Sequence, residues 1–588
     1  MSVHLTNWAL DMRDTVAGPA AELVQAAKPP PRVKRHRAAL AISLIMLVNL
    51  LSMPFKAYLS EPWPWDVDAN IPPSPSNFTV FNTSALARFQ REYNHSTLPH
   101  AATFYLDTAQ SLQVLRTVLE TSNKPPMSAN DCPSRFLVGL PGSIYFGESM
   151  RSLVCAFAAA DHKLTNWSQR GTCGHTRMLT INLGEACLWL VAGNDVLGRD
   201  TTSTYTLYYV LRVYAYPEWL WLKLLYRVFL TCYVLRLLWR RYYGPYLQLE
   251  RILAVHGHRT DLKNAGAWRY VVVLGDPTAL VLMNTNVALA FLLDIWISSD
   301  TLGVAILRSS QNQDIPLLLI SFLYLSRVVW IAYAAICLVS RWLKRHGNEH
   351  RFAQVDPTLL AVLVSIYGPL LTWLGSNVSF FLSTYSYLLE CLLTDQDEAI
   401  EVFLVAVFYM VLMGSMPLLY GFSVRHLRPR KVAPLSRSFY ASWRNNNAKN
   451  RLLFTAFGVH HRRKGHGDDD DDLVSLGGTL YSIFELNPKY QASPAICSRA
   501  ADVFLLCYEN DVLQAKIRLS LLCSLDGAAS RHHAAIPDAA SPSRYIVNEL
   551  CRPLAQTFAS VALQTSVKTS VAAPLCIIRP DIPSEWCM

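Results

Sequence analysis

The apolar residues of this chain lie in long uninterrupted blocks, and its polar residues collect between the blocks. A helix that crosses the hydrocarbon core of a bilayer needs about 20 mainly apolar residues. Blocks of roughly this length predict a transmembrane helix, called a span below, at six places in the chain. The predicted spans are residues 38–55, 218–239, 278–297, 315–339, 357–375 and 399–422.

The second span is the least apolar of the six, because Lys223, Arg227 and Arg236 interrupt it. The alternative interpretation is an amphipathic helix that lies on the membrane surface. Without this span, every later loop would move to the opposite side of the membrane and the basic loops would face outward. We therefore predict that this segment crosses the bilayer.

The basic residues between the blocks predict the orientation, because short basic loops stay in the cytosol. Lys and Arg residues crowd the segments before the first span, after the second, after the fourth and after the sixth. The alternate loops hold only Arg308, and residues 376–398 hold none. The predicted fold is an α-helical polytopic membrane protein with six transmembrane helices and both termini in the cytosol.

The segments outside the spans predict two soluble parts. Residues 56–217 are long enough for an α+β lumenal or extracellular domain, which we call the cap. Within the cap, the leucine spacing of residues 101–121 predicts a helix. The alternating or continuous apolar residues of 202–216 predict a strand. Residues 1–37 form a basic cytosolic segment. The cytosolic tail, 423–588, is expected to hold a small domain near 476–522 between disordered ends, with 503–508 and 512–522 paired as a hairpin.

Composition and charge agree with a membrane protein. Charged residues make up 16% of the chain, against about a quarter in ordinary soluble proteins. The net charge is +10, yet the cap holds twelve basic and twelve acidic residues, so the excess lies beside the apolar blocks. This distribution argues against nucleic acid as a partner and for the lipid bilayer. Residues Arg425–Arg451, with eight basic residues and no acid, either bind anionic lipids or simply provide the last orientation signal.

The cap carries the cysteines and most of the sequons expected of a secreted domain. An even number of cysteines in an oxidising compartment predicts two disulfides, with three possible connectivities. The cysteines are Cys132, Cys155, Cys173 and Cys187. The glycosylation sequons, all on segments predicted to lie outside, are Asn77, Asn82, Asn94, Asn166 and Asn377.

The sequence contains no recognisable catalytic motif, and we predict neither an enzyme nor a cofactor. Searches for a phosphate-binding glycine loop, a zinc-protease motif and a hydrolase nucleophile motif find nothing. The run His460–Asp472 contains metal-ligand residue types, but its glycines and lack of apolar support are typical of a solvated charge run. No metal site is predicted.

Polar residues inside the predicted spans are the main candidates for function, because charge is costly within a bilayer. Two interpretations stay open: these residues line a pathway, or they hold the helices together. Lys223 and Asp294 have opposite charges at similar predicted depth, so we expect them to form an ion pair. The full set is Lys223, Arg227, Asn284, Asn286, Asp294 and Arg327.

The outer loop 376–398 combines an apolar stretch with three acids, Asp395, Asp397 and Glu398. This pattern fits a re-entrant segment with a cation-attracting outer mouth, or else an interfacial helix followed by solvated acids. The predicted chain has six spans, a glycosylated cap after the first span and an apolar, re-entrant stretch before the last. This arrangement resembles the topology of polycystin- and mucolipin-type cation channels. The resemblance implies cation conduction, but the loop is short and has no filter sequence like theirs.

Two functions are compatible with these patterns. The first is a solute or cation channel or transporter, which predicts a continuous polar path and an oligomer or an internal repeat. The second is a receptor-like or structural membrane glycoprotein without transport activity, which predicts a ligand-sized cleft in the cap above a packed bundle. Either would reside in the plasma membrane or in an endomembrane of the secretory pathway.

The sorting of the sequons gives the first testable prediction. Glycosidase treatment of the intact protein should increase its gel mobility, and Asn77→Gln should remove one step of the mobility shift, because glycans are added on the lumenal side. An unchanged mobility of the intact protein would count against a glycosylated cap.

Overall fold

A computed structural model describes most of the predicted spans and the cap, and part of the tail. The described residues are 32–67, 76–83, 103–107, 111–120, 127–128, 131–140, 142–160, 169–179, 181–192, 204–255, 268–282, 284–309, 315–346, 348, 351–352, 355, 357–393, 399–427 and 503–519.

Fourteen α-helices and ten strands are assigned within these ranges. The helices are α1 (Arg37–Ser52), α2 (Phe78–Phe81), α3 (Cys132–Arg135), α4 (Glu148–Ala159), α5 (Pro217–Leu238), α6 (Gly244–Val255), α7 (Thr278–Leu282), α8 (Thr285–Trp296), α9 (Ser299–Ser309), α10 (Ile315–Leu325), α11 (Val329–Arg345), α12 (Pro357–Asn377), α13 (Ser379–Glu390) and α14 (Phe403–Leu427). The strands are β1 (Arg32–Arg35), β2 (Thr103–Asp107), β3 (Leu112–Glu120), β4 (Gln169–Met178), β5 (Ile181–Ala192), β6 (Thr204–Val213), β7 (Trp268–Val273), β8 (Ala399–Glu401), β9 (Val503–Glu509) and β10 (Val512–Leu519).

Among the described residues, three helical stretches, the first of which includes both α10 and the start of α11, are long and apolar enough to cross a membrane by length and composition. They cover Ile315–Ser340, Leu360–Asn377 and Phe403–Val424. Helices α8 and α9 pass the same test only as a pair, and they are bent by 75° at the break between them. Helix α1 is apolar but has 16 residues.

Every predicted span contains helix, with local departures. The third span is interrupted before α8, where the Asn284 side chain accepts hydrogen bonds from the backbone N–H groups of Asn286 and Val287 and so caps the helix. The helix of the sixth predicted span, α14, begins at Phe403 rather than at residue 399, because residues Ala399–Glu401 form strand β8. The bundle interior is apolar, and Phe291 and Trp330 stack there with ring centroids 3.9 Å apart.

The cap is built on a six-stranded sheet, the cap sheet, in the order β2-β3-β6-β5-β4-β8. Neighbouring strands are antiparallel, except that β8, from the outer loop before the last helix, pairs parallel to β4. The cap sheet is therefore completed by a segment that lies almost 200 residues later in the chain.

The predicted helix at 101–121 is wrong, because strands β2 and β3 occupy that segment. Strand β3 is buried on both faces: Val114 packs with Trp189 on one face, and Leu115 packs with the core beside α4 on the other. A strand buried on both faces does not alternate between apolar and polar residues, so its leucines resembled a helical pattern.

A second, four-stranded sheet, the tail sheet, joins three distant segments in the order β1-β7-β9-β10. The predicted hairpin of the tail is confirmed as β9 and β10, with the turn at Asn510 and Asp511 in left-handed backbone conformations. Strand β7 comes from the segment after the second span, and β1 from the basic N-terminal segment. Other parts of the tail, including Arg425–Arg451 and His460–Asp472, lie wholly or mostly outside the described residues.

The disulfides provide the second prediction. The structure selects Cys132–Cys155 and Cys173–Cys187 from the three connectivities, with Cα atoms 5.5 Å and 4.1 Å apart. Replacing Cys132 and Cys155 together by alanine should destabilise the cap by about 3 kcal/mol, because the unfolded chain loses a crosslink. The check is the thermal midpoint of the detergent-solubilised protein.

The matched control is Cys391→Ala, which removes an exposed free cysteine of the outer loop and should leave the midpoint unchanged. Peptide mapping without reductant should recover the two crosslinked pairs, and free thiols at these four positions would contradict both the pairing and an oxidising compartment.

A candidate functional site beneath the cap

Six charged side chains meet where the outer ends of the helices approach the cap. Lys223 and Arg227 are four residues apart on α5, so both point to one face of the helix. The acids and the third base come from other elements, and we call the complete set the charge network. Its members are Glu61, Lys223, Arg227, Asp294, Asp300 and Arg327.

Lys223 pairs with the acid at the start of α9. Its Nζ donates hydrogen bonds to Oδ1 and Oδ2 of Asp300 at 2.9 and 2.7 Å, and lies 3.8 Å from Oε2 of Glu61. The backbone N–H of Thr301 donates to the same Oδ1 of Asp300 at 2.9 Å. The side chain of Lys223 is 1% exposed, so this pair is largely removed from water.

Arg227 joins two acids from different parts of the chain. Its Nη2 donates to both carboxylate oxygens of Glu61 at 2.9 and 2.7 Å, and its Nε donates to Oδ1 of Asp294 at 2.9 Å. The guanidinium also lies over the ring of Tyr58, 4.8 Å from its centroid. Arg227 therefore ties the stem after α1, which carries Tyr58 and Glu61, to helix α8.

Arg327 completes the network from the turn between α10 and α11. Its Nη2 donates to Oδ2 of Asp294 at 2.5 Å and to Oγ of Ser298 at 3.1 Å, and its Nη1 lies 3.7 Å from Oε1 of Glu61. Ser298 also accepts a hydrogen bond from Arg227 at 2.9 Å. Asp294 is thus shared by two arginines.

The three bases and three carboxylates of the charge network have a net charge of zero. Removing an isolated charge from water costs several kcal/mol, and that cost is offset only where opposite charges and hydrogen bonds surround it. The side chains of Glu61 and Arg227 are fully buried, and that of Asp300 is the most exposed of the six, at 11%. The network therefore meets the charge part of this condition, while Nη1 of Arg227 is buried without a hydrogen-bond partner among the described residues.

The neighbours of Glu61 decide its protonation state. Burial alone would raise the pKa of Glu61, but Lys223, Arg227 and Arg327 together lower this pKa from 4.5 to about 2. A folded-state pKa below the unfolded value means that this carboxylate stabilises the fold fully above about pH 4.5, and less as the pH falls towards 2. Glu61 therefore remains charged at physiological pH.

The structure brings together four of the six predicted intramembrane polar residues, but not in the expected pairs. The expected pair of Lys223 with Asp294 is wrong: Lys223 binds Asp300, and Asp294 binds Arg227 and Arg327. Depth along a helix does not specify which way a side chain points around it. Asn284 caps α8 and Asn286 is exposed, so neither belongs to the charge network.

Sequence reasoning missed Glu61 and Asp300, although a signal was present. The predicted second, third and fourth spans hold the four bases Lys223, Arg227, Arg236 and Arg327 against only two acids, Glu218 and Asp294. Buried charges require compensation, so two more acids were needed nearby. Glu61 and Asp300 are the first acids after the outer ends of the first and third spans.

Two cavities meet at Asp300. The larger, with a volume of about 70 Å³, lies between the cap sheet and helices α9, α12, α13 and α14, and is mostly apolar. The smaller, about 20 Å³, has a more polar wall that includes Ser60, Gln113 and Thr301. Val213 and Asp300 line both cavities. The charge network thus borders the space beneath the cap.

The remaining predicted site residues are placed as follows. Asn77 caps α2 through Oδ1 and, like Asn82, is exposed, whereas Asn377 ends α12 and donates to the carbonyl of Trp373 at 2.9 Å. Asn94, Asn166, Asp395, Asp397 and Glu398 lie outside the described residues. Helix α13, in the outer loop, packs Leu382, Tyr385 and Leu389 into the cap core and exposes Phe380 and Tyr387.

No protein-family model, curated protein or solved structure matches this chain.

The pairing in the charge network gives the third prediction. Lys223→Met should lower the thermal midpoint by an amount equivalent to about 3–5 kcal/mol, because it leaves a buried negative charge in excess. Adding Asp300→Asn should recover most of the loss, since it restores neutrality and removes the partner that Lys223 leaves behind. The measurement is the thermal midpoint of each purified variant in detergent.

The control for net charge alone is Lys223→Met combined with Asp294→Asn. This double variant is also neutral, but it removes the shared acid of Arg227 and Arg327. Its midpoint should fall below that of Lys223→Met alone. Recovery in this variant, without recovery in the Asp300 variant, would show that Lys223 pairs with Asp294.

Proposed function

We propose that the chain crosses the membrane six times, with both termini in the cytosol and the cap in the lumen or outside the cell. The membership of the two sheets supports this topology. Strands β1, β7, β9 and β10 of the tail sheet are separated by even numbers of predicted spans. The cap strands β2–β6 follow the first span and β8 follows the fifth, so an even number of predicted spans separates them as well. Segments separated by an even number of spans lie on the same side of the membrane, as the strands of one sheet must.

The membership of the two sheets also supports α5 as a span despite its charges. Helix α5 follows β6 of the cap sheet and leads, through α6, to β7 of the tail sheet. If α5 lay on the membrane surface, β7 would be on the side of the cap and apart from β1. Both Lys223 and Arg227 are paired inside the protein, so α5 presents neither charge to lipid.

Exposed tryptophans at the two ends of α5 fit the membrane boundaries. Trp219 and Trp239 are 37% and 59% exposed. They are 20 positions apart, which corresponds to about 30 Å of helix, the thickness of the hydrocarbon core. At the outer end, the rings of Tyr58, Trp63, Trp65 and Trp221 form a continuous series of contacts. Such aromatic belts are typical of the lipid–water interface.

This topology implies a membrane glycoprotein of the secretory pathway or the plasma membrane. The two cap disulfides and the outward placement of all five sequons support such a compartment. Binding of anionic lipids by Arg425–Arg451 stays part of the proposal.

For the function, we infer a receptor-like protein in which the cap binds a ligand and the tail sheet carries the response in the cytosol. The observation that carries this proposal is the closed charge network. Its charges are paired with one another, so it holds the helices and the stem together instead of lining an open polar path. A cavity between the cap and a packed bundle is what a sensing protein requires.

Several further contacts fasten the cap to the helices and support transmission of a signal. The backbone N–H of Gly139 donates to the carbonyl of Ser376 at 2.8 Å, and that of Leu179 donates to Oε1 of Glu401 at 2.9 Å. Glu401 ends β8 and also accepts from the N–H of Phe403, the first residue of α14, at 3.0 Å. A displacement of the cap sheet is therefore passed directly to α14.

A cation or solute transporter is the second candidate. Buried charges next to cavities at Asp300 favour it, because transporters use intramembrane ion pairs that exchange partners. The contacts of α13 with the cap core favour an interfacial helix over a re-entrant pore segment. Because an interfacial helix would not line a pore, we rank transport second to the receptor-like function.

The fourth prediction separates the two candidates. Purified protein in liposomes should pass K⁺ and Na⁺ no faster than protein-free liposomes, measured with entrapped fluorescent ion indicators. At the same time, Lys223→Met should increase amide hydrogen exchange in β7 and β9 at least severalfold, because α5 links the charge network to the tail sheet.

The matched control is Arg236→Met, on the same helix, nearer to the tail sheet and exposed outside the charge network. It should change the exchange of β7 and β9 much less. Flux above the protein-free rate would make transport the leading function. Equal exchange in the two variants would remove the link on which the receptor-like function depends.

A further inference from the structure

The wall of the larger cavity is built from one face of each of three elements. Helix α9 contributes residues spaced by three or four positions, Ser299, Leu302, Gly303 and Ile306. The start of α14 contributes a face with the same spacing, Val402, Val405, Ala406 and Tyr409. Strand β6 contributes alternate residues, Tyr209, Leu211 and Val213. Residues at these spacings lie on one side of a helix or strand, so three continuous faces meet at the cavity.

These faces are mainly apolar, and the cavity leaves them without full packing. On α9, Leu302 and Ile306 are partly exposed, whereas Val304 and Ala305 of the same helix are buried. Water held against an apolar wall is unfavourable, and empty space leaves the side chains of the wall without dispersion contacts. An apolar occupant would supply those contacts.

The charges of the wall exclude the charged part of a ligand. Among the described residues that line the cavity, Asp300 alone is charged, and Nζ of Lys223 donates hydrogen bonds to both oxygens of that carboxylate. The wall therefore offers no unpaired charge to a phosphate, a carboxylate or an ammonium group, each of which is costly to bury without a partner. The cavity suits a hydrocarbon group whose polar end remains outside it.

The α14 wall of the cavity lies at the membrane boundary in the proposed topology. Helix α14 is long and apolar enough to cross a membrane, and its start is the outer end of the sixth span. Tyr409 is six positions after Phe403, the first residue of the helix, so this wall extends about 9 Å along the helix, less than a third of a hydrocarbon core about 30 Å thick. Further along α14, Val411 is 62% exposed. The outer leaflet is therefore the apolar material closest to the cavity.

From these observations we propose that the cavity holds one hydrocarbon chain of an outer-leaflet lipid, with the chain against the faces of α9, α14 and β6 and the headgroup outside. The inference rests on the six-span topology, and it names a lipid as the ligand class of the receptor-like function. An acyl chain is uncharged, and it reaches the cavity from the bilayer without passing through water. Within the cavity it contacts α9 beside Asp300, which connects the lipid site to the charge network.

The test uses the full chain in nanodiscs that contain a phosphatidylcholine with a photoreactive diazirine at the middle of one acyl chain. Labelled positions are identified by mass spectrometry of peptides after irradiation. We expect label at Leu211 or Val213 of β6, because this cap strand meets hydrocarbon only where a chain enters the cavity. Val411 is the internal control and should be labelled from the bilayer. A phosphatidylcholine with the diazirine on its headgroup should label none of these residues.

Two variants test the site itself. Ala406→Phe should reduce the label on β6 severalfold and leave the label on Val411 unchanged, because the added ring and the lipid chain cannot occupy the same space. Leu302→Asn should also reduce the label on β6 severalfold, since an amide in the wall favours water over hydrocarbon. The matched control is Ala156→Phe on α4, an exposed residue of the cap outside the cavity wall, which should leave both labels unchanged.

Two results would overturn the proposal directly: label on Val411 without label on β6, and equal label on β6 in the wild type and in Ala406→Phe. Stronger labelling of β6 by a photoreactive sterol than by the acyl-chain probe would replace the flexible chain by a rigid ring system. No label on Val411 would mean that α14 does not contact lipid, and the topology and the proposal would fail together.

Hydrogen exchange separates the lipid site from the receptor-like function. If a lipid chain in the cavity acts on the tail sheet, Ala406→Phe should change the exchange of β7 and β9 severalfold relative to Ala156→Phe. If β6 is labelled as expected but the two variants show equal exchange, the lipid site stands and the receptor-like function fails.

Discussion

A charge buried away from water must be compensated by an opposite charge close to it, and this constraint organises the outer half of the molecule. Arg227 is fully buried and binds two carboxylates, one on α8 and one on the stem after α1. Because those acids come from distant parts of the chain, compensation fixes how α1, α5, α8 and the α10–α11 turn approach one another. The stem also carries the chain into the cap, so the same ion pairs hold the cap over the bundle.

A second attachment reaches the cap from the opposite end of the sequence. Strand β8 pairs with β4 of the cap sheet and ends at Glu401, which accepts hydrogen bonds from the backbone of both Leu179 and Phe403. A cap held through its stem and through β8 cannot shift without moving α5, α8 or α14. Between these attachments lies the larger cavity, which the cap sheet borders together with α9, α12, α13 and α14. The arrangement therefore combines a cavity with attachments of the cap to the helices on both sides of it.

In the proposed topology, the tail sheet is the cytosolic counterpart of the cap sheet. It combines the segment before α1, the segment after α6 and the distant hairpin β9–β10. Ala39 at the start of α1 packs with Val273, Leu506 and Tyr508 in the core of this sheet. Helices α1 and α5 each connect the two sheets, so they are the shortest covalent routes between the cap and the strands of the tail sheet.

The sequence by itself determined the segments in which the long helices form, because a run of about 20 apolar residues is a local property of the chain. It also determined the hairpin at Asn510 and Asp511, whose turn chemistry is equally local, and the four cysteines of the cap. Strand β3 was mistaken for a helix because burial on both faces removes the alternation that marks a strand. Only the tertiary structure decided the partner of Lys223, since residue spacing gives depth along a helix but not the rotation of α5 or the 75° bend that brings Asp300 to it. The pairing of β8 with β4, and of β1 with β7, was likewise decided by long-range contacts that no local pattern encodes.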